Sequence, residues 1–139
     1  MPTKRGHWIQ NARQAFGFDT PIYDRAITNA NMIADRIPLQ NLSFAGHSLG
    51  GGLASTQCIA VDGNSPAFTF NPSGVHKGTF DRAGMADGRK DDQLPIVDYK
   101  TEGCALTELQ KFVPVIPDSI GIRVNIQPHK SGDDVDGDI

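Results

Sequence analysis

The sequence predicts an α/β fold, a mostly parallel sheet with flanking helices. Three observations carry that expectation. Short β-rich runs at Leu42–Ala45, Pro66–Phe70, Pro95–Tyr99 and Ile120–Ile126 are set among stretches of helical periodicity and turn chemistry. The first two runs are separated by a glycine turn, a helix and a second turn, an order that requires parallel strands and a right-handed crossover. Between the first run and its helix lies Gly46-His47-Ser48-Leu49-Gly50, which has the G-x-S-x-G spacing of a strand-to-helix elbow with a serine at its apex.

Size and composition narrow the function classes. A chain of 139 residues is one domain's worth, enough for a real core. Hydrophobic residues at 38% against 21% charged favour a folded protein over a disordered one. A net charge of -3 and a pI near 5.7 leave no electrostatic footprint for nucleic acid. No apolar run approaches the roughly 18 residues of a membrane span. The basic start, Met1 to His7, is followed by no apolar core of a signal peptide, so synthesis in the cytoplasm without one is expected. Cys58 and Cys104 are too few for a disulfide framework or a zinc site and read as reduced thiols. No metal or cofactor is expected.

Taken in order, residues 1 to 19 show poor periodicity, with Trp8, Ile9, Phe16 and Phe18 as their large apolar groups. Thr20-Pro21 has the form of a helix start, Thr as N-cap and Pro in the first turn. Ile22, Ala26, Ala30, Ile33 and Ile37 then mark one face of a helix from about Pro21 to Arg36, stopped by Pro38. After the Leu42–Ala45 strand and the elbow, a helix is expected from about Leu49 to Ala60. It opens on Gly50, Gly51 and Gly52, each costing roughly 1 kcal/mol relative to Ala in a helix. A purely structural helix would rarely accept that cost, whereas glycines allow tight packing and close backbone approach to a ligand. Asp62-Gly63-Asn64 is a turn. The Pro66–Phe70 strand puts Phe68 and Phe70 on one face, and Asn71-Pro72-Ser73-Gly74 ends it. Residues 75 to 94 read as a surface excursion with a helical turn near Phe80. Leu106 to Phe112 fits a short helix broken by Pro114 and Pro117. The last strand alternates Ile120, Ile122, Val124 and Ile126 with polar or small residues, as a half-buried strand does. The end, Ser131 to Ile139, is acidic and expected to be disordered. Asp134-Val-Asp-Gly-Asp-Ile139 echoes part of a calcium-binding loop, but Gly132 stands at its first position and the closing Glu is missing.

The elbow carries the chemistry. A serine hydroxyl needs a base to become a nucleophile, and it must be exposed and rigidly held. A sharp turn flanked by small residues, Gly46 and Gly50, provides the second condition. The helix N-terminus then aims backbone N–H groups at the site, with Leu49 N–H the first donor to a developing oxyanion. Ser48 is thus the candidate nucleophile. His47 points away from its neighbour on such a turn, so it is not the base; it shapes the turn or lines the substrate pocket. The chain order for this arrangement is Ser, acid, His. His129, after the last strand, is the candidate base. His76 is the alternative, and a site with no base in this chain is the third option. Asp98 and Glu102, around the end of the third strand, are both candidates for the acid.

These residues resemble a family. Gly46 to Ser55, followed by Pro66 to Asn71 and Gly74, is similar to the class 3 lipase-like α/β-hydrolases, and closest to bacterial phospholipase-type domains of type VI secretion effectors and polymorphic toxins. Weaker likenesses are Trp8-Ile-Gln-Asn11 with Gly17-Phe18 and Tyr23, then Asp98-Tyr99, Gly103, Leu106-Thr107 and Leu109-Gln110, then Pro117 to Gly121. The resemblance spans about residues 8 to 126. It implies a partial α/β-hydrolase sheet and hydrolysis of carboxylic, lipid acyl esters through an acyl-enzyme. It also implies transient contact with a membrane surface and delivery by a bacterial secretion system. The sequence departs from the family at Cys104, where an acidic residue usually follows the glycine matched by Gly103. The family's first strands would precede Trp8. Residues 1–130 are therefore expected to form a trimmed hydrolase domain, with 131–139 as its tail and a partner chain or dimer able to complete the sheet. The competing expectation is a non-catalytic hydrolase fold used for binding or assembly.

Overall fold

The computed structural model describes residues 20–85, 93–102 and 119–127. Four parallel strands form one sheet in the order β1-β2-β3-β4, with β1 Phe44–His47, β2 Ala67–Phe70, β3 Ile96–Thr101 and β4 Ile122–Ile126. The helices are α1 Thr20–Ala34, α2 Leu49–Ala60 and α3 Lys77–Ala83, and a short 3-10 turn spans Leu39–Asn41. The fold is α/β, as the alternation of elements predicts.

The elements form close to where their signals lie. α1 begins at Thr20, and the i to i−4 bonding of its last turn persists through Asp35 N–H to Asn31 and Ile37 N–H to Ile33. Its buried face is Tyr23, Ala26 and Ala30, while Ile37, predicted to share it, is exposed past the helix end. β1 is displaced two residues toward the serine relative to the Leu42–Ala45 expectation. The cause is local: Leu42 N–H is taken by the Leu39 carbonyl in the 3-10 turn, and pairing with β2 starts at Phe44, whose N–H bonds to Pro66. The helical turn expected near Phe80 is the two-turn α3, closed by Gly84 in the left-handed region. The predicted helix at 106–112, the Trp8 region and the acidic tail lie outside the described residues.

α2 contacts both β1 and β2, and α1 and α3 pack against α2 and each other. The described helices thus share one face of the sheet, as same-direction, right-handed crossovers dictate. α2 is buried almost all round, through Gly51, Gly52, Ala54, Ser55, Thr56, Cys58 and Ile59. Its hydroxyls cause no desolvation problem, because Ser55 and Thr56 donate back to the Gly51 and Gly52 carbonyls. The core joins Tyr23, Phe44, Ile59, Val75, Leu94 and Ile96 with their neighbours between helices and sheet.

Phe68 and Phe70 share a face, as expected, and it is the face the described helices leave open, where they are 36% and 43% exposed. Ala67 and Thr69 are the residues under α2. β4 is exposed along its whole length, so Ile122, Val124 and Ile126 are not inward-facing as their alternation predicts. Parallel register puts them level with Val97, Tyr99 and Thr101 on that same open face. Gly121 makes the entry to β4 feasible: it has φ +114°, and a Cβ there would meet the Ile96 carbonyl at 2.6 Å.

Candidate active site

Ser48 is the single residue between β1 and α2, with φ +55° and ψ −121°. For a residue with a side chain this region costs about 1–3 kcal/mol and persists only where its surroundings impose it. Here they do. Ser48 N–H extends the sheet by donating to the Phe70 carbonyl at 3.1 Å. The Ser48 carbonyl accepts three N–H groups, from Ser73 at 2.9 Å, Gly51 at 3.0 Å and Gly52 at 3.3 Å. Gly46 is sterically required, because a Cβ there would collide with the Gly50 carbonyl. Gly51 and Gly52 let α2 sit against the loop after β2: Cβ atoms would approach Pro72 Cβ to 2.6 Å and Ser73 Oγ to 2.7 Å. Gly50 differs from the expectation for it, since a Cβ there meets nothing within 4 Å. Its small size keeps space open beside the serine rather than relieving a clash.

The side chain is half-buried at the carboxyl end of the strands, where open α/β sheets place their ligands. Leu49 N–H, the predicted oxyanion donor, heads α2 and makes no hydrogen bond with another described residue. It belongs to the set of helix-start N–H groups that lack a partner within the helix and carry the positive end of its dipole.

The other predicted residues divide clearly. His47 is exposed, in the cross-sheet row His47–Phe70–Tyr99–Val124 on the open face, away from α2. Phe70 and Tyr99 stack in that row with ring centroids 5.2 Å apart. Asp98 is not at the end of its strand. β3 runs on to Thr101, and Asp98 is level with Thr69 and Arg123, 1% exposed on the helix side. Ser119 Oγ donates to its Oδ2, and Lys100 Nζ lies 3.7 Å from the same oxygen. Glu102 follows the strand directly, exposed, its N–H bonded to the Ile126 carbonyl at 3.3 Å. His76 stands exposed at the N-cap of α3. His129, Cys104 and the Asp134–Ile139 segment lie outside the described residues. Among the described residues no group of three His, Cys, Asp or Glu could hold a metal ion.

Comparison of the sequence with known proteins adds a family to this fold and elbow. A family model for the Tle-like phospholipase domain matches residues 3–134. The chain belongs to the Tle-like phospholipase domain family. It is also 37% identical over 122 residues to the extracellular phospholipase A1 of Serratia liquefaciens. That alignment covers 86% of this chain and 37% of the relative, so the chain spans little more than a third of the relative's length. The resemblance to bacterial phospholipase-type domains, expected from the Gly46–Ser55 segment, holds.

Three supports in this Tle-like domain escape a reading of the sequence alone. Ser73 contributes through its backbone N–H, which no residue type advertises. Lys100 is 5% exposed beside Asp98, though strand alternation would put Val97 and Tyr99 inside instead. Asn71 reads as a strand terminator, and its φ of +43° agrees with that. Its side chain, however, also reaches β3: Thr101 N–H donates to Asn71 Oδ1 at 2.8 Å. The usable signal was an Asn, tolerant of positive φ, directly before Pro72 at the carboxyl end of a strand.

Proposed function

We propose that this chain is a serine hydrolase that cleaves carboxylic esters of lipids through an acyl-enzyme. The observation that carries the reading is Ser48 itself, held at positive φ between β1 and the N-terminus of α2 with the Leu49 N–H beside it. The family and the Serratia relative, by its name a phospholipase A1, support lipid acyl esters as the substrate class.

In this mechanism Ser48 Oγ attacks the ester carbonyl while His129 accepts its proton. Charge developing on the carbonyl oxygen is met by the Leu49 N–H, and His129 then protonates the departing alcohol. Water repeats the sequence on the acyl-enzyme and restores Ser48. Of the two acid candidates, Glu102 is favoured. It follows β3 on the strand-end side where Ser48 stands, whereas the Asp98 carboxylate is engaged with Lys100 and Ser119 inside the protein. His47 lines the approach to the serine. Gly50, with open space where its side chain would be, leaves room for the acyl group.

Transient membrane-surface contact and export through a bacterial secretion system belong to the same proposal. The name of the Serratia relative as extracellular supports export. The division of the chain into a 1–130 domain and a 131–139 tail is part of the same proposal. A strand from a partner chain or second copy would pair at β1, whose outer edge carries no strand among the described residues.

The test is active-site labelling together with hydrolysis. Purified protein is treated with a fluorophosphonate probe and assayed for fatty-acid release from phosphatidylcholine–phosphatidylglycerol vesicles. Wild type is expected to label and to hydrolyse, and Ser48→Ala to lose both, with activity falling by about 10⁴-fold or more. Folded wild-type protein that neither labels nor hydrolyses would mean a binding or assembly module.

A further inference from the structure

We propose that Asn71 is a positioning residue that locks the acid-bearing end of β3 to the loop supporting the nucleophile. The inference rests on the hydrolase reading above and deepens it. Two groups must keep a fixed separation for a serine to be activated: the serine, at the end of β1, and the carboxylate, at the end of β3. Those strands are not neighbours. With β2 between them and strands about 4.8 Å apart, their ends are roughly 10 Å from each other. The residue that leaves the end of β2 is therefore the natural place for a brace, and Asn71, directly after Phe70, is that residue.

Its contacts run in both directions. Toward β3, Asn71 N–H donates to the Tyr99 carbonyl at 2.7 Å, Thr101 N–H donates to Asn71 Oδ1 at 2.8 Å, and Asn71 Nδ2 reaches Thr101 Oγ1 at 3.4 Å. Thr101 is the last residue of β3, and Glu102 comes next. Toward β1, the chain continues from Asn71 through buried Pro72 to Ser73, whose N–H donates to the Ser48 carbonyl. The left-handed backbone of Asn71, φ +43°, makes this turn. Three consecutive residues thus hold the carbonyl of the nucleophile at one end and the amide preceding Glu102 at the other. Glycine could supply the turn, and only a side chain with an acceptor at this reach could also supply the brace.

That distinction defines the experiment. Asn71→Gly keeps the positive φ and deletes the brace. Asn71→Asp tolerates the same backbone and keeps an acceptor for Thr101 N–H, with the Thr101 hydroxyl able to donate to the second carboxylate oxygen. Each variant is assayed on the phospholipid vesicles beside wild type and Ser48→Ala, with a thermal melt and amide hydrogen exchange. For Asn71→Gly the expected result is a fall in kcat of about 10–100-fold, the scale of a misplacement of about 1 Å, with KM within about twofold. The Thr101 amide is expected to lose exchange protection and the melt to stay two-state. Asn71→Asp is expected to recover kcat to within about threefold of wild type and to restore Thr101 protection. Asn71→Gly with wild-type kcat, in a background where wild type is active, would overturn the positioning role and leave the hydrolase reading standing. So would an Asn71→Asp variant that restores Thr101 protection without activity. A wild type that neither labels nor hydrolyses would overturn both.

Discussion

Ser48 shows how much one residue's backbone reveals. Its identity and its neighbours Gly46 and Gly50 were legible in the sequence, because a G-x-S-x-G turn has few structural uses. The reason it stays at positive φ was not legible, because the support comes from carbonyl and amide groups contributed by Phe70, Gly51, Gly52 and Ser73. Asp98 and Glu102 looked equivalent for the same cause: one residue more or less of strand decides which side chain stands at the end. Their variants should separate. Glu102→Gln is expected to lower kcat by about 10³–10⁴-fold while leaving the denaturation midpoint nearly unchanged. Asp98→Ala is expected to act on folding. It would remove the buried carboxylate that lies beside Lys100 and accepts the Ser119 hydroxyl, at a cost of about 3–5 kcal/mol. Urea denaturation followed by circular dichroism measures it. The double variant Asp98→Leu with Lys100→Met is expected to recover most of that loss, since removing both charges removes the desolvation penalty too.

At the scale of elements, α2 sets the terms for the strands beneath it. α2 packs on β1 and β2, and β2 presents Ala67 and Thr69 to it rather than Phe68 and Phe70. The alternation of large apolar residues was legible, but its phase was not. Period-2 patterning says which residues share a face and is silent on which face a helix covers. The usual assumption that the larger residues go inside fails where the covering helix leaves little room. Ala67→Leu is therefore expected to destabilise the fold by about 1–3 kcal/mol through overpacking, as overfilled cores do. Phe68→Thr, on the open face, is expected to change it by less than about 1 kcal/mol, the scale of exposed strand substitutions. Equal effects in urea titrations of the two variants would contradict this placement. The ion pairs of α3 make a smaller contribution. Lys77–Asp81 within the helix and Arg82–Asp24 to α1 are both exposed, so each adds only tenths of a kcal/mol.

Over the whole molecule, the described helices and the sheet make a two-layer arrangement with a chemically uneven surface. The helix side is a mixed core, and the other side carries Phe68, Phe70, Ile122, Val124 and Ile126 exposed. The α/β class and the parallel order followed from the strand–helix–strand rhythm, which reports connectivity well because a parallel pair requires a long crossover. No described helix is long and apolar enough to cross a membrane. Apolar surface on this scale has a spectroscopic signature: the chain is expected to bind the dye ANS while its far-UV spectrum and two-state melt remain those of a folded protein. Tyr99→Ser with Phe70→Ser, which removes the stacked pair, is expected to reduce that fluorescence without lowering the helix signal.

The triply bonded carbonyl of Ser48 has a consequence for observation as well as for shape. A carbonyl drawn on by three amides has a weakened C=O bond, and its stretching frequency falls below that of its neighbours. A carbon-13, oxygen-18 label at that one carbonyl would therefore appear as an isolated infrared band whose position counts its donors. Loss of the Ser73 contribution would raise the band; loss of α2's first turn would raise it further. The protein thus contains a vibrational gauge of elbow integrity that can be read without substrate, inhibitor or turnover.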